Sequence, residues 1–184
     1  MSEVKDKIEK EFESLGDNFV LLLDANAKNY FEAVMEVLAL MLKGKKRGVY
    51  VTASRPYRFI SKEMQKRGVD TSNMLFLDCI SAMAGECSDE ICTYVENPAA
   101  LEEISMHMSY LLGKIDSDEK FLIIDSISTL LIYNSINSVK EFSMFLINKL
   151  RLDNVNGVLV IIEKEAPEDL KQILIAMCDK AIIV

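Results

Sequence analysis

Short apolar runs recur along the chain and are its main secondary-structure signal. The run Phe121–Ile124 is continuous and ends at Asp125, as expected of a strand that is buried on both faces between helices. Five further runs are also predicted to be strands: Phe19–Leu23, Gly48–Thr52, Met74–Leu77, Val158–Ile162 and Ala181–Val184.

Segments with helical spacing of apolar residues separate these runs. They predict helices over Ser2–Leu15, Lys28–Lys43, Pro56–Arg67, Pro98–Leu112, Val139–Leu152 and Pro167–Met177. Gly16, Gly44, Gly68 and Gly113 stand where four of these helices should end. Regular alternation of strand and helix predicts a parallel sheet with crossover helices on both faces.

One domain over residues 1–184 accounts for this pattern, with an amphipathic N-terminal helix in residues 1–16. The segment 79–97 has no clear period and is rich in acidic residues, so we predict a long loop with at most one strand. Long loops in compact domains are often functional, which makes this segment a candidate contact surface.

Charge and hydropathy narrow the classes of partner. No apolar run reaches the length of a membrane span and the N-terminus is too charged for a signal peptide, so we expect a cytoplasmic protein without a membrane partner. The formal net charge is −8, which disfavours binding to nucleic acid. The one contiguous basic cluster follows a predicted helix end, where cations are favoured as a solvated cap; it comprises Lys43, Lys45, Lys46 and Arg47.

Cysteine and histidine spacing does not indicate a metal site. Intervals of eight and five positions separate Cys79, Cys87 and Cys92, and these match none of the usual zinc patterns. His107 lies inside a predicted helix, far in sequence from Cys178. We therefore predict reduced thiols, which are typical of a reducing compartment.

Asp125 is the first candidate functional residue. In open α/β sheets ligands bind at the carboxyl ends of the strands, where an aspartate can hold Mg²⁺ beside a nucleotide phosphate. Alternatively, Asp125 only caps the next segment together with Ser126 and Ser128. These residues alone leave both interpretations open.

Four sequence phrases, in this order, resemble the RecA-like ATPases and, within them, the KaiC-like proteins of archaea and bacteria. They are Gly48–Thr52, Met64–Asp70, the Walker B-like Ile124–Ser128 and Cys178–Ile182. The resemblance spans Gly16–Val184 and identifies an archaeal-type member. It implies a RecA-like three-layer α/β/α sandwich with a mainly parallel central sheet.

The chain departs from this family at the phosphate-binding loop. KaiC-like ATPases carry a glycine-rich loop that ends in Gly-Lys-Ser or Gly-Lys-Thr, because glycine lets backbone amides close around the phosphates. Here no glycine occurs between Gly16 and Gly44. Asp24 would direct a negative charge at the phosphates, and Tyr30 or Phe31 would replace the small hydroxyl residue that holds Mg²⁺.

The acids that activate water are also missing. The family places a pair of glutamates after the second strand, whereas Ala53, Ser54 and Arg55 follow Thr52 here. Arginine cannot act as the carboxylate base. The resemblance therefore implies the fold of the family without its ATP hydrolysis.

We accordingly predict a non-catalytic RecA/KaiC-like domain, a pseudo-ATPase that acts as a protein-interaction or regulatory scaffold. Its partner would be a second copy of the chain or an intact RecA-like relative. By resemblance, the contact surfaces would be the Asp24–Tyr30 loop, Arg55 and the Cys79–Asn97 loop. This hypothesis requires neither cofactor nor metal.

The alternative is a nucleotide-binding sensor or slow ATPase with a non-standard phosphate loop. Lys28 and Asn29 would then approach the phosphates, while Asp125 and Ser126 would lie on the side of the metal. Mg-ATP would be the cofactor, with Asp125 toward Mg²⁺.

Overall fold

Seven parallel strands form one sheet in the computed structural model, which describes residues 3–44, 46–85 and 91–184. The strands are β1 (Val20–Ala25), β2 (Arg47–Thr52), β3 (Met74–Asp78), β4 (Cys92–Tyr94), β5 (Lys120–Asp125), β6 (Asn156–Ile162) and β7 (Lys180–Ile183). Their order across the sheet is β4-β3-β2-β5-β6-β1-β7. Every neighbouring pair is parallel, and β5 is the central strand of this order.

Helices cover both faces of the sheet. The helices are α1 (Glu3–Phe12), α2 (Tyr30–Met41), α3 (Tyr57–Lys66), α4 (Leu101–Lys114), α5 (Ile127–Leu130), α6 (Ile136–Leu152) and α7 (Glu168–Met177). The apolar residues of α1, α2 and α3 pack on one face, and those of α4 to α7 pack on the other. The predicted three-layer α/β/α class is confirmed, and the sheet is parallel throughout the described residues.

Successive strand residues alternate between the two cores, as the pleat requires. In β5, Phe121 and Ile123 face α1–α3, whereas Leu122 and Ile124 face α4–α7. Because both faces are covered, the strands need no polar side, which explains the continuous apolar runs in the sequence.

Several element boundaries differ from the predicted ones, and one helix was not predicted. Gly113 does not end a helix, since α4 continues to Lys114. Helix α5 was not predicted, because its four residues are too few to show a period. Ser126 caps α5 by accepting a hydrogen bond at 3.2 Å from the amide of Thr129.

The described parts of the segment 79–97 contain one short strand, β4, and are otherwise irregular. Ser81–Ala84 forms a 3₁₀ turn that is followed by Gly85 at φ 81°. Cys87 and the acidic residues of the predicted loop between 86 and 90 lie outside the described residues. Over the three described ranges, none of the helices combines the length and the apolar character needed to cross a bilayer.

Candidate functional site

The carboxyl ends of three adjacent strands meet in register near the middle of the sheet. Thr52 in β2 lies opposite Asp125 in β5 on one side and opposite Asp78 in β3 on the other. All three side chains are buried. This is the edge at which open α/β sheets bind ligands.

Hydroxyl groups of three side chains contact the oxygens of the Asp125 carboxylate. The Tyr30 hydroxyl, at the first residue of α2, donates a short hydrogen bond to Oδ1. The Tyr50 hydroxyl donates to Oδ2 at 2.5 Å, and the Ser54 hydroxyl lies 3.2 Å from Oδ1. The Ser54 Oγ also lies 2.9 Å from the Tyr30 hydroxyl, so the single Ser54 proton is shared between that oxygen and Oδ1, and these groups form one network.

Burial sets the electrostatics of this network. Desolvation raises the pKa of Asp125, although the hydroxyl donors from Tyr30, Tyr50 and Ser54 act in the opposite direction. Desolvation also raises the pKa of Tyr30 and Tyr50, and the Asp125 charge adds to both increases. The two phenols therefore stay protonated and act as donors over the physiological range.

Arg55 lies over the outer side of the network. Its guanidinium carbon is 4.9 Å from the ring centroid of Phe31, 5.1 Å from that of Phe59 and 5.7 Å from that of Tyr30. Phe31 and Phe59 meet edge to face at 6.2 Å. The position after β2 thus carries a cation stacked on aromatic rings that line the α2 and α3 side of the site.

Backbone amides of the loop between β1 and α2 form hydrogen bonds within the loop itself. Asn26 Oδ1 accepts hydrogen bonds from the amides of Lys28 at 3.1 Å and Asn29 at 3.0 Å. The Tyr30 amide donates to the Asn26 carbonyl at 2.9 Å. A phosphate-binding loop directs such amides at its ligand, whereas here Asn26 engages them. The Lys28 side chain is exposed and Asn29 is half-buried.

Asp24 does not face the side of the sheet that the resemblance implied. It belongs to β1 and faces the α4–α7 side of the sheet, away from Tyr30, because its side chain alternates with Leu23 and Ala25. Its carboxylate is 1% exposed and forms a short ion pair with Lys171 of α7. The expected negative charge toward the phosphates is therefore absent at this position.

Consequently, only part of the predicted Asp24–Tyr30 contact surface is accessible. Asp24, Ala25 and Tyr30 are buried, which leaves residues 26–29 at the surface.

Ser126 lies beside Asp125 but points into a separate set of hydroxyls. Its Oγ is 3.1 Å from that of Ser128 and 2.7 Å from the hydroxyl of Thr129. Ser128 in turn accepts a hydrogen bond at 3.1 Å from the amide of Ile162, at the end of β6. These contacts join α5 to the sheet, so the Ser126 hydroxyl is engaged in structural bonds.

Asp78 links β3 to the start of α3. One carboxylate oxygen accepts the Tyr57 amide at 2.7 Å, and the other accepts the amides of Ile80 at 2.9 Å and Ser81 at 2.8 Å. The sequence marks Asp78 only as the end of a strand. Its role in positioning α3 depends on a contact with Tyr57, which is distant from Asp78 in sequence.

The described cysteines are buried or half-buried free thiols. Cys79 and Cys92 are buried, and Cys178 is half-buried. Burial raises the pKa of Cys178 to about 12. Cys87 lies outside the described residues, and His107 is 3.7 Å from Glu103. Across the ranges that the structure describes, no three potential metal ligands come together.

Taken together, the sheet order, the helix layers and the Asp125 edge define the RecA-like fold. No protein-family model and no curated protein matches the sequence. The solved structures similar to the chain include a KaiC-like protein, PH0186, from Pyrococcus horikoshii OT3. It shares 17% sequence identity at a TM-score of 0.65, over 92% of this chain and 72% of that one.

Two further structures extend the comparison. The flagellar accessory protein FlaH from Methanocaldococcus jannaschii gives a TM-score of 0.67 at 13% identity, over 99% of this chain and 76% of FlaH. The uncharacterized protein PH0321 from Pyrococcus horikoshii, solved in complex with an unknown peptide, gives 0.70 at 11% identity, over 97% and 82% of the two chains. The predicted resemblance to KaiC-like proteins is confirmed at the level of the fold.

Proposed function

We propose that this chain is a non-catalytic RecA/KaiC-like domain, a pseudo-ATPase that works in the cytoplasm as a protein-interaction or regulatory scaffold. The observation that carries the proposal is the engagement of Asp125 by the hydroxyls of Tyr30, Tyr50 and Ser54. A magnesium ion that used this carboxylate would have to displace the buried Tyr30 hydroxyl and break its bond to Ser54.

The loop and the base position support the same conclusion. Asn26 binds the amides of Lys28 and Asn29, so a phosphate would compete with an existing turn. At the place of the water-activating acids, Ser54 bonds Asp125 and Arg55 stacks on aromatic rings. Neither Ser54 nor Arg55 is a carboxylate that could accept a proton from water.

A protein ligand fits the remaining chemistry better than nucleic acid. The net charge of −8 opposes contact with a phosphate backbone. PH0321, which shares the fold, was solved in complex with an unknown peptide, and this supports a peptide or protein as the partner. The partner would be a second copy of the chain or an intact RecA-like relative.

Calorimetry of the purified, nucleotide-stripped protein with Mg-ATP and Mg-ADP tests the proposal. We expect no saturable heat at millimolar nucleotide, and no phosphate release above the rate without protein. Lys28→Ala is the matched variant, because Lys28 is exposed and its loss should not disturb the fold.

The sensor hypothesis predicts a different result. In that case Lys28 and Asn29 would approach the phosphates, and Asp125 and Ser126 would lie beside the metal. Saturable micromolar binding that weakens in both Lys28→Ala and Asp125→Ala would overturn the scaffold proposal in favour of this alternative.

A further inference from the structure

An open groove of about 900 Å³ lies between the N-terminal half of α4 and the first half of α6. Met106 on the α4 wall is 69% exposed, and Phe145 on the α6 wall is 53% exposed. Glu102 precedes Met106 by one helical turn, and Glu141 precedes Phe145 by one turn. Each wall therefore presents an apolar side chain with a carboxylate about 6 Å away along the helix axis.

The groove is acidic, and none of the described residues that line it is a lysine or an arginine. Glu103 also lines it and contacts His107 at 3.7 Å. In the described part of the chain, no lysine or arginine forms an ion pair with Glu102 or Glu141. The negative charges at this surface are therefore available to a cationic ligand.

Helix α3 carries the opposite pattern on the other face of the sheet. Phe59 is 43% exposed, and Lys62 and Lys66 follow it at i+3 and i+7 on the same helical stripe. Lys62 and Lys66 are both exposed. Lys66 forms an exposed ion pair with Glu63 at 2.5 Å, which contributes little stability. This α3 stripe joins one aromatic ring to two lysines about one turn apart.

We propose that the α3 stripe of one copy of this chain docks into the α4–α6 groove of a second copy. Phe59 enters between Met106 and Phe145, which brings Lys62 and Lys66 toward Glu102 and Glu141. About 4.5 Å of helix rise separates Phe59 from Lys62 and about 10.5 Å separates it from Lys66, against about 6 Å between the apolar and the acidic residue of each wall. The surfaces thus match in charge, and Lys62 also matches in axial spacing.

This contact is head to tail. Because α3 and the groove lie on opposite faces of the sheet, a chain cannot fill its own groove, and each contact leaves one stripe and one groove unoccupied. Such heterologous contacts build rings or open filaments. The inference rests on the proposed scaffold function, for which it names the partner as a second copy of this chain.

Charge reversal tests the contact. We would prepare a groove variant, Glu102→Lys/Glu141→Lys, and a stripe variant, Lys62→Glu/Lys66→Glu, and measure molar mass by light scattering over a concentration series. The wild type should assemble, and each variant alone should weaken self-association by about tenfold or more, because both ion pairs become like-charge contacts. An equimolar mixture should recover assembly, since reversed stripes meet reversed grooves and native stripes meet native grooves.

A matched control is Asp116→Lys/Asp118→Lys, which reverses two exposed charges in the loop after α4, at the end of that helix away from the groove. It should assemble as the wild type does. A wild type that stays monomeric at all concentrations, or a mixture that does not recover assembly, would overturn the inference. Neither result bears on the nucleotide calorimetry, so failure of the docking surface and failure of the pseudo-ATPase proposal are distinguishable.

Discussion

Asp125 and Asp24 are both buried carboxylates at the carboxyl ends of parallel strands, yet they lie on opposite faces of the sheet and have different partners. Asp125 faces α2 and is bound by hydroxyls of Tyr30, Tyr50 and Ser54. Asp24 faces α7 and is paired with a lysine. In the first case, neutral hydroxyl donors stabilise the Asp125 carboxylate, whereas its burial raises the pKa. In the second case, a cation compensates the charge.

The comparison shows that a carboxylate at the ligand-binding edge does not by itself indicate a ligand site. What decides is whether its oxygens are available to an incoming group. At Asp125 the hydroxyl of Tyr30, the first residue of α2, already contacts one carboxylate oxygen, and this is the physical basis of the proposed loss of catalysis. Substitutions that remove the partners of one carboxylate at a time distinguish the two cases.

Removing the cation should have the largest effect. Lys171→Met leaves Asp24 buried without a counter-charge, so we expect a loss of about 3 kcal/mol in the free energy of unfolding, measured with urea at neutral pH. The double variant Asp24→Asn/Lys171→Met removes both charges and should lose less. A single variant as stable as the double would contradict the ion-pair account.

The same pair has a pH dependence. The hydrogen bond to Asp24 raises the pKa of Lys171, so its contribution is complete below the ordinary lysine pKa and is lost as pH rises through the raised value. As pH rises from neutral, the difference in unfolding free energy between wild type and Lys171→Met should therefore persist until strongly alkaline pH. A difference that narrows between neutral and mildly alkaline pH would contradict the assignment of the Lys171 charge as the stabilising group.

Tyr50→Phe should cause the next largest loss in the free energy of unfolding. Tyr50 is fully buried and its hydroxyl donates to Asp125 at 2.5 Å, so its loss removes a hydrogen bond to a buried acid and should cost about 2 kcal/mol. Tyr110→Phe is the control, because Tyr110 is 57% exposed and its change should have little effect. Equal stability of the two variants would argue against the network.

Tyr30→Phe should cost about 1 kcal/mol, less than Tyr50→Phe. Its hydroxyl shares Oδ1 of Asp125 with Ser54, which lies 3.2 Å away and can retain one bond to that oxygen. Thermal unfolding of both tyrosine variants side by side would give the order. A larger loss for Tyr30→Phe would mean that Ser54 does not compensate.

The smallest effect is expected for Ser54→Ala, about 0.5 kcal/mol, because both tyrosines keep their bonds to Asp125. The unfolding free energies of Ser54→Ala and of the double variant Tyr30→Phe/Ser54→Ala would be measured in parallel by chemical denaturation. The double variant should lose more than the sum of the two single variants, since Oδ1 then has neither hydroxyl donor. Simple additivity would indicate that the two donors act independently.

The sequence was sufficient to predict the sheet and most helices, because both faces of the sheet are covered and the strands are continuous apolar runs. The partners of Asp125 could not be predicted, since Tyr30 and Tyr50 are distant from it in sequence. The side of the sheet on which Asp24 lies could not be predicted either, because it depends on whether β1 ends before or after that residue. The structure extends β1 to Ala25, which places Asp24 on the α7 side.

The α3 stripe was not predicted from the sequence, for a different reason. Lys62 and Lys66 are not adjacent in sequence, so a search for contiguous charge finds only the cluster from Lys43 to Arg47. The helix brings them to one side, beside Phe59. Basic surfaces on helices are therefore recognised from spacing and exposure together.

The most direct test of the central claim is a crystal structure of the wild-type protein grown with millimolar Mg-ATP. We predict that the Tyr30 hydroxyl remains hydrogen-bonded to Asp125 and that no nucleotide density appears at the carboxyl edge of β5 and β2. Density for Mg-ATP at that edge, with the Tyr30 ring displaced from Asp125, would contradict the account.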